Sequence, residues 1–254
     1  MLAGIGVFVH VKIINILDRT HHSNEIYHIY NRGVDKRDVF MTSDDYRYFI
    51  HLLYILNDSK KANNTKRNLS SNPNKNETDH THGRGSTSTM KTSGRNCLVD
   101  ILAYCLMPNH YHLLIKQNQE EGIAKFMQKI GTGYTMYFNK KYSRSGSLFQ
   151  GRYKSVHIIN DSQLLYIPHY IHLNPIPLIR SEQLVNKNTY LEEYRWSSYP
   201  DYINKKNFPS LIKPAFILDQ FGGHEAYALD IQKFITTDDY LDKLDASLLI
   251  DSER

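Results

Sequence analysis

A β-hairpin constrains this chain more than any other feature of its sequence. Leu98 to Met107 is apolar and strand-like, Pro108-Asn109 is a turn signal, and His110 to Lys116 reads as the returning strand. In a strand, residues i and i+2 point to the same face. His110 and His112 therefore project side by side, while Tyr111 and Leu113 point the other way, into a core. Two imidazoles so placed can reach one metal ion. The same spacing also suits two half-exposed strand histidines that hold nothing. A metal would need further ligands from elsewhere in the chain.

The flanking segments say what surrounds this hairpin. Ile26 to Asn31 is rich in β-branched and aromatic residues and stops at Gly33, which predicts a strand. Ser43 reads as an N-cap, and Tyr46, Phe49, Ile50, Leu53 and Leu56 follow at helical spacing, which predicts a helix from Asp44 to Leu56. Residues 57–96 are dominated by Asn, Ser, Thr, Lys and Arg, too polar to order themselves, and are expected to be a flexible insertion. Gly122 to Tyr142 carries an apolar stripe and predicts a long helix. Ser147 to Ile159 reads as a strand with an irregular start, and Asp161 as the N-cap of a helix ending near Asn174-Pro175. The order strand, helix, hairpin, helix, strand, helix implies an α+β fold, a small sheet with helices on one face. Residues 1–24 form a leader, 25–175 the main domain, and 176–254 a mostly helical C-terminal extension.

Bulk properties narrow the function only slightly. The net charge of +5 over 254 residues favours a polyanionic partner weakly. Cys97 and Cys105 cannot build a disulfide framework or a thiolate zinc site, and a reducing, cytoplasmic compartment is the simplest expectation. The apolar run Met1 to Leu17 is shorter than the roughly 20 residues a membrane span needs, so no membrane partner is expected.

A second motif stands far along the chain, Tyr170-Ile171-His172-Leu173-Asn174-Pro175. On a helix, i and i+4 share a face, so the Asn174 carboxamide could join the two histidines as a third ligand with Tyr170 presented beside it. Asn174 is equally suited to a helix end before Pro175, and Tyr170 to core packing. Pro168 falls inside the helical pattern, where it removes a backbone donor. His28 and His172 read as packing or hydrogen-bonding residues.

Taken together, these segments resemble the single-tyrosine HUH transposases of the insertion-sequence-200-like group, and within it the REP-associated tyrosine transposases. Tyr104-Cys105-Leu106-Met107-Pro108-Asn109-His110-Tyr111-His112-Leu113-Leu114 is similar to that family's HUH motif. Tyr27 to Gly33 with Asp38-Val39-Phe40 resembles its opening strand, Gly146 to Lys154 the segment before its tyrosine helix, and Trp196-Ser197-Ser198-Tyr199 the start of its C-terminal region. The resemblance implies a ferredoxin-like fold with the nucleophile helix laid across the sheet. It implies a single-stranded DNA endonuclease and strand-transferase in which Tyr170 forms a 5′-phosphotyrosine. His110, His112 and Asn174 would hold Mg²⁺ or Mn²⁺, and the DNA would carry a hairpin beside the cut site. Arg152, Lys154, Lys140, Lys141 and Arg144 are the candidate DNA contacts. A monomer is slightly favoured. The alternative function is a non-cleaving, hairpin-binding regulator descended from such an enzyme. A ferredoxin-like RNA-binding module would leave Tyr170 and Asn174 unexplained, and a water-activating metallohydrolase would want a carboxylate that the histidine strand lacks.

Overall fold

The computed structural model describes residues 21–59, 95–179 and 186–237. Most of the predicted 57–96 insertion, most of the 1–24 leader and the end of the C-terminal extension lie outside the described residues.

Strand β1 (Ile26–Arg32) leads into helix α1 (Ser43–Ile55), then the hairpin β2 (Val99–Met107) and β3 (His110–Gln117). Helix α2 (Gly122–Lys141), strand β4 (Lys154–His157) and helix α3 (Asp161–Leu173) follow. The four strands form one antiparallel sheet in the order β2-β3-β1-β4. This is the split βαβ arrangement of the ferredoxin-like fold. The central strands are β3 and β1, so whatever β3 carries is flanked by sheet on both sides.

Strand alternation divides the sheet into two chemically distinct faces. Tyr111 and Leu113 of β3 point toward α1 and α2, where Phe49 meets the Tyr111 ring at 5.1 Å and Tyr134 stands edge-on to Phe49 at 4.9 Å. His28, His110 and His112 point to the opposite face, across which α3 is laid. Thus α1 and α2 cover one face together, and the tyrosine helix packs on the other.

Three boundaries differ from the sequence reading. The N-cap of α1 is Thr42, one residue before Ser43, because the Asp45 carboxylate turns back to accept the N–H groups of Met41 and Thr42 at 2.9 and 2.8 Å. Asn160 rather than Asp161 caps α3, its side chain accepting from the Gln163 N–H at 2.8 Å. The strand expected over residues 147–159 shrinks to Lys154–His157. Gly146 and Gly151 take positive φ before it, and only Phe149 bridges back, to Gly33. Gly33 itself has no room for a side chain, since a Cβ there would lie 2.2 Å from the Arg37 carbonyl oxygen.

Beyond α3 the chain forms helices α4 (Lys187–Glu193), α5 (Tyr199–Tyr202), α6 (Ala215–Phe221) and α7 (His224–Thr237), the helical extension expected from sequence. Residues Trp196 to Ser198 run along the outer edge of β2. The Leu106 N–H donates to the Trp196 carbonyl at 2.9 Å, and the Ser198 N–H donates to the Tyr104 carbonyl at 2.9 Å. An otherwise open sheet edge is thereby partly covered. No helix among the described residues is long and apolar enough to cross a membrane.

Candidate active site

The hairpin register sets His110 and His112 on one face with ring centroids 5.1 Å apart and planes nearly perpendicular. Helix α3 brings Tyr170 and Asn174 over them. The Tyr170 ring stands edge-on to His112 at 5.2 Å and to His28 at 5.8 Å. Asn174, the residue that ends α3, places its Oδ1 3.3 Å from His110 Nε2. The structure therefore gathers into one place four residues that sequence reasoning drew from two distant motifs.

The orientation of each donor atom follows from its other hydrogen bonds. Asn174 Nδ2 donates to the Tyr170 carbonyl at 3.1 Å, which leaves Oδ1 as the end facing the histidines. His110 Nδ1 lies 2.6 Å from Asn109 Oδ1. A neutral imidazole has one N–H. If it is donated along this shorter contact, His110 Nε2 presents a lone pair toward the Asn174 oxygen. Two acceptors facing each other at that distance are what a cation between them would reconcile. His112 Nε2 is buried and has no hydrogen-bond partner among the described residues, and its other nitrogen, Nδ1, meets His28 Nε2 at 2.8 Å. These tautomers are inferred from the hydrogen-bond network.

Burial keeps the His28 and His112 rings neutral. Desolvation drives the His28 imidazole down to about 3. Desolvation, with His110, His28 and Arg32 adding repulsion, pushes His112 well below the ordinary histidine value. A neutral ring with an exposed lone pair is the form that binds metal. Three donor atoms, His110 Nε2, His112 Nε2 and Asn174 Oδ1, thus fit an ion that accepts two nitrogens and an oxygen and leaves positions open. No group of three or more His, Cys, Asp or Glu able to hold a metal occurs among the described residues, so the site depends on the Asn174 amide as third ligand.

Pro168 sits mid-helix and buried, two residues before Tyr170, and α3 continues through it. The helix is held from its other side instead. His172 Nδ1 meets the Tyr227 hydroxyl at 2.7 Å and His172 Nε2 meets Ser198 Oγ at 2.7 Å. His172 is thus a hydrogen-bonding residue on a different face from Tyr170, as its spacing suggested.

The candidate DNA contacts divide. Arg152 and Lys154 line a bay with Tyr30, Arg32 and Lys36, and Tyr30 in turn lies 6.0 Å from the His112 ring. Lys141 is committed to the fold, its ammonium 2.6 Å from the buried Asp45 carboxylate and 2.8 Å from Thr42 Oγ1. Arg144 lies over the Phe138 ring at 5.6 Å, and Lys140 is exposed at the end of α2. The lysines and Arg144 belong to the helix layer opposite the histidines. Arg32 and Lys36 were missed by sequence reasoning. Their signal was weak, one basic residue at a strand end and one in a turn.

Residues 78–174 match the family model described as Transposase IS200 like. That span holds the histidine hairpin, Tyr170 and Asn174. This segment is similar to the IS200-like transposase family. It occupies less than half of the chain, and the match supports an enzyme of the transposase kind. A solved structure described as a REP-associated tyrosine transposase bound to a REP hairpin is similar at 13% identity, with a TM-score of 0.43. It covers 77% of this chain and 88% of that one, a likeness too distant to carry an argument. No curated protein matches the chain.

Proposed function

We propose that this chain nicks and rejoins single-stranded DNA with Tyr170 as nucleophile and His110, His112 and Asn174 as ligands of a divalent ion, Mg²⁺ or Mn²⁺. The observation that carries the reading is the convergence of His110 Nε2, His112 Nε2 and Asn174 Oδ1 beside the Tyr170 ring. A divalent ion held there would polarise the scissile phosphate as a Lewis acid.

The rest of the chemistry belongs to the chain. The Tyr170 oxygen attacks phosphorus and gives up its proton. The bond from phosphorus to the 3′ oxygen breaks, and that oxygen leaves as a hydroxyl. The product is a 5′-phosphotyrosine, whose phosphodiester energy is conserved, so a second 3′-hydroxyl can reverse the step without another energy source. Helix α3 carries both Tyr170 and the ligand Asn174 one turn apart, so nucleophile and ligand are placed by one rigid element. Tyr170 is largely buried against His28 and His112, which limits competing attack by water. Arg152 and Lys154 are proposed to hold the backbone phosphates beside the site. A hairpin next to the cut site and a monomeric state are proposed from the motif resemblance.

The test is covalent trapping. Labelled single-stranded DNA with Mg²⁺ or Mn²⁺ should give a protein adduct in wild type and none in Tyr170→Phe, which removes one hydroxyl. An adduct that persists in Tyr170→Phe assigns the nucleophile elsewhere. No adduct with any strand in wild type, together with tight hairpin binding, would convert the reading to the non-cleaving regulator.

A further inference from the structure

A groove of about 930 Å³ runs between α2 and the irregular segment before β4. Its floor holds Tyr111 and Asn31 from the sheet, and one wall holds Leu148, Phe149 and Tyr153. The other wall is a face of α2 that carries Ala124, Gln128, Gly131 and Thr135 at helical spacing, with Met127 and Met136 beside them. Of the residues lining this groove, the proposed chemistry uses Arg152 alone.

The groove is continuous with the basic bay beside the site, because Asn31, Gly151 and Arg152 line both. The bay reaches back through Tyr30 to the His112 ring. No Asp or Glu lines either cavity, and Arg32, Lys36, Arg152 and Lys154 all line the bay. A basic channel leading from a phosphate-handling site into an apolar, aromatic-walled groove matches the chemistry of an unpaired strand, with phosphates on the charged part and bases on the aromatic part. Beyond the four-residue β4, residues 148–151 cross the far end of β1, where the Gln150 N–H donates to the Arg32 carbonyl at 2.9 Å and Asn31 Nδ2 to the Gly151 carbonyl at 3.1 Å, and this crossing segment is the common border of bay and groove.

We propose that this groove holds unpaired bases of the DNA strand whose backbone crosses the Arg152 bay, extending the substrate beyond the cut site. The proposal rests on the reading of the site as a single-strand nuclease. Its occupant is nucleic acid, and the binding is largely independent of base identity, since every base offers a π-face.

The test blocks the groove without touching the site. A Cβ at Gly131 meets nothing within 4 Å, so Gly131→Leu projects a side chain into open space and also favours the helix. Affinity is read by fluorescence anisotropy on the full chain with strands of about 4 and about 16 nucleotides, the span of ordinary single-strand sites. Gly131→Leu should weaken binding of the longer strand about tenfold, the scale of one lost stacked base. It should leave binding of the shorter strand and the salt dependence unchanged, and the melting temperature unchanged or slightly raised by the better helix former. Gly131→Ala, with too small a side chain to fill the groove, should bind as wild type. Strands carrying 5-iodouracil should crosslink at Tyr153 or Phe149 in wild type. Unchanged affinity for the longer strand would overturn the proposal, as would equal loss with both lengths or crosslinks confined to other residues. A fall in melting temperature without any change in DNA affinity would also overturn it, since the new side chain would then meet protein and not the strand. Adduct formation at Tyr170 is a separate readout, so failure of the nuclease reading and failure of the groove are told apart.

Discussion

Replacing His28 should weaken metal binding more than it weakens the fold. A metal on His112 Nε2 requires the ring proton to sit on Nδ1, and His28 Nε2, 2.8 Å away, is the acceptor that favours that tautomer. The two rings are nearly parallel, 14° apart with centroids at 5.1 Å, so His28 also fixes the orientation of the His112 plane. Removing such an outer partner costs about 10- to 100-fold in metal affinity, or about 1.4 to 2.8 kcal/mol. His28 is fully buried, so His28→Ala also opens a cavity and should lower stability by about 1 to 3 kcal/mol. His28→Gln, which keeps a polar side chain of similar reach, should recover part of the metal affinity. Mn²⁺ titration followed by electron paramagnetic resonance reads affinity directly, and thermal melting without metal reads the fold. His112→Ala provides the reference for loss of a ligand. If His28→Ala binds Mn²⁺ as tightly as wild type while His112→Ala does not, the tautomer argument is wrong and His28 is only packing.

Two further predictions concern stability. Desolvation holds His169 down at about 4 despite Asp230 at 3.5 Å, a contact too long to form a good hydrogen bond, and desolvation pushes His172 well below its ordinary value. Both rings bind a proton more readily unfolded, so stability should fall as pH drops below 6.5, by up to about 1.4 kcal/mol per pH unit for each. A flat denaturation midpoint between pH 7 and about 5 in urea titrations would refute this linkage. At Asp45, burial raises the carboxyl but hydrogen bonds from Lys141, Tyr142, Thr42 and Met41 outweigh it and hold the group at about 2. Lys141→Met should leave that buried carboxylate short of its charged partner and destabilise the fold by about 3 kcal/mol, with DNA affinity nearly unchanged. A large loss of DNA affinity at constant melting temperature would instead make Lys141 a DNA contact.

The parts legible in the sequence were those carried by strict periodicity. Alternation on β3 assigned His110 and His112 to one face and Tyr111 to the other, and the i, i+4 spacing put Tyr170 beside Asn174. The strand at residues 147–159 was overread, because alternating side chains persist through an irregular segment and only the two positive-φ glycines reveal where pairing fails. His28 as the partner of His112 was illegible. It depends on a diagonal cross-strand contact set by the register of β1 against β3, a long-range pairing that no local pattern encodes. Lys141 shows a different limit of sequence reading. A basic residue next to tyrosines suits nucleic acid equally well, and only the buried Asp45 from α1 decides its use.

The C-terminal helices bear on the chemistry through α3. The proposed nucleophile sits on a helix that carries a proline and needs outside support, since Pro168 withdraws one backbone donor just before Tyr170. That support comes from His172, which ties α3 to Tyr227 of α7 and to Ser198 at the β2 edge, and Ser198 in turn accepts from the Tyr104 N–H at 2.9 Å and donates back to its carbonyl at 3.2 Å. Tyr104 and Cys105 of β2 lie beside Leu113 and His112 of β3. The same strand β2 that receives Ser198 is therefore hydrogen-bonded to the strand presenting the proposed histidine ligands. Helix α3 is fixed relative to those ligands through protein alone, by a path that needs neither metal nor DNA. A site arranged this way is assembled before the substrate arrives, which is the condition under which positioning lowers a reaction barrier.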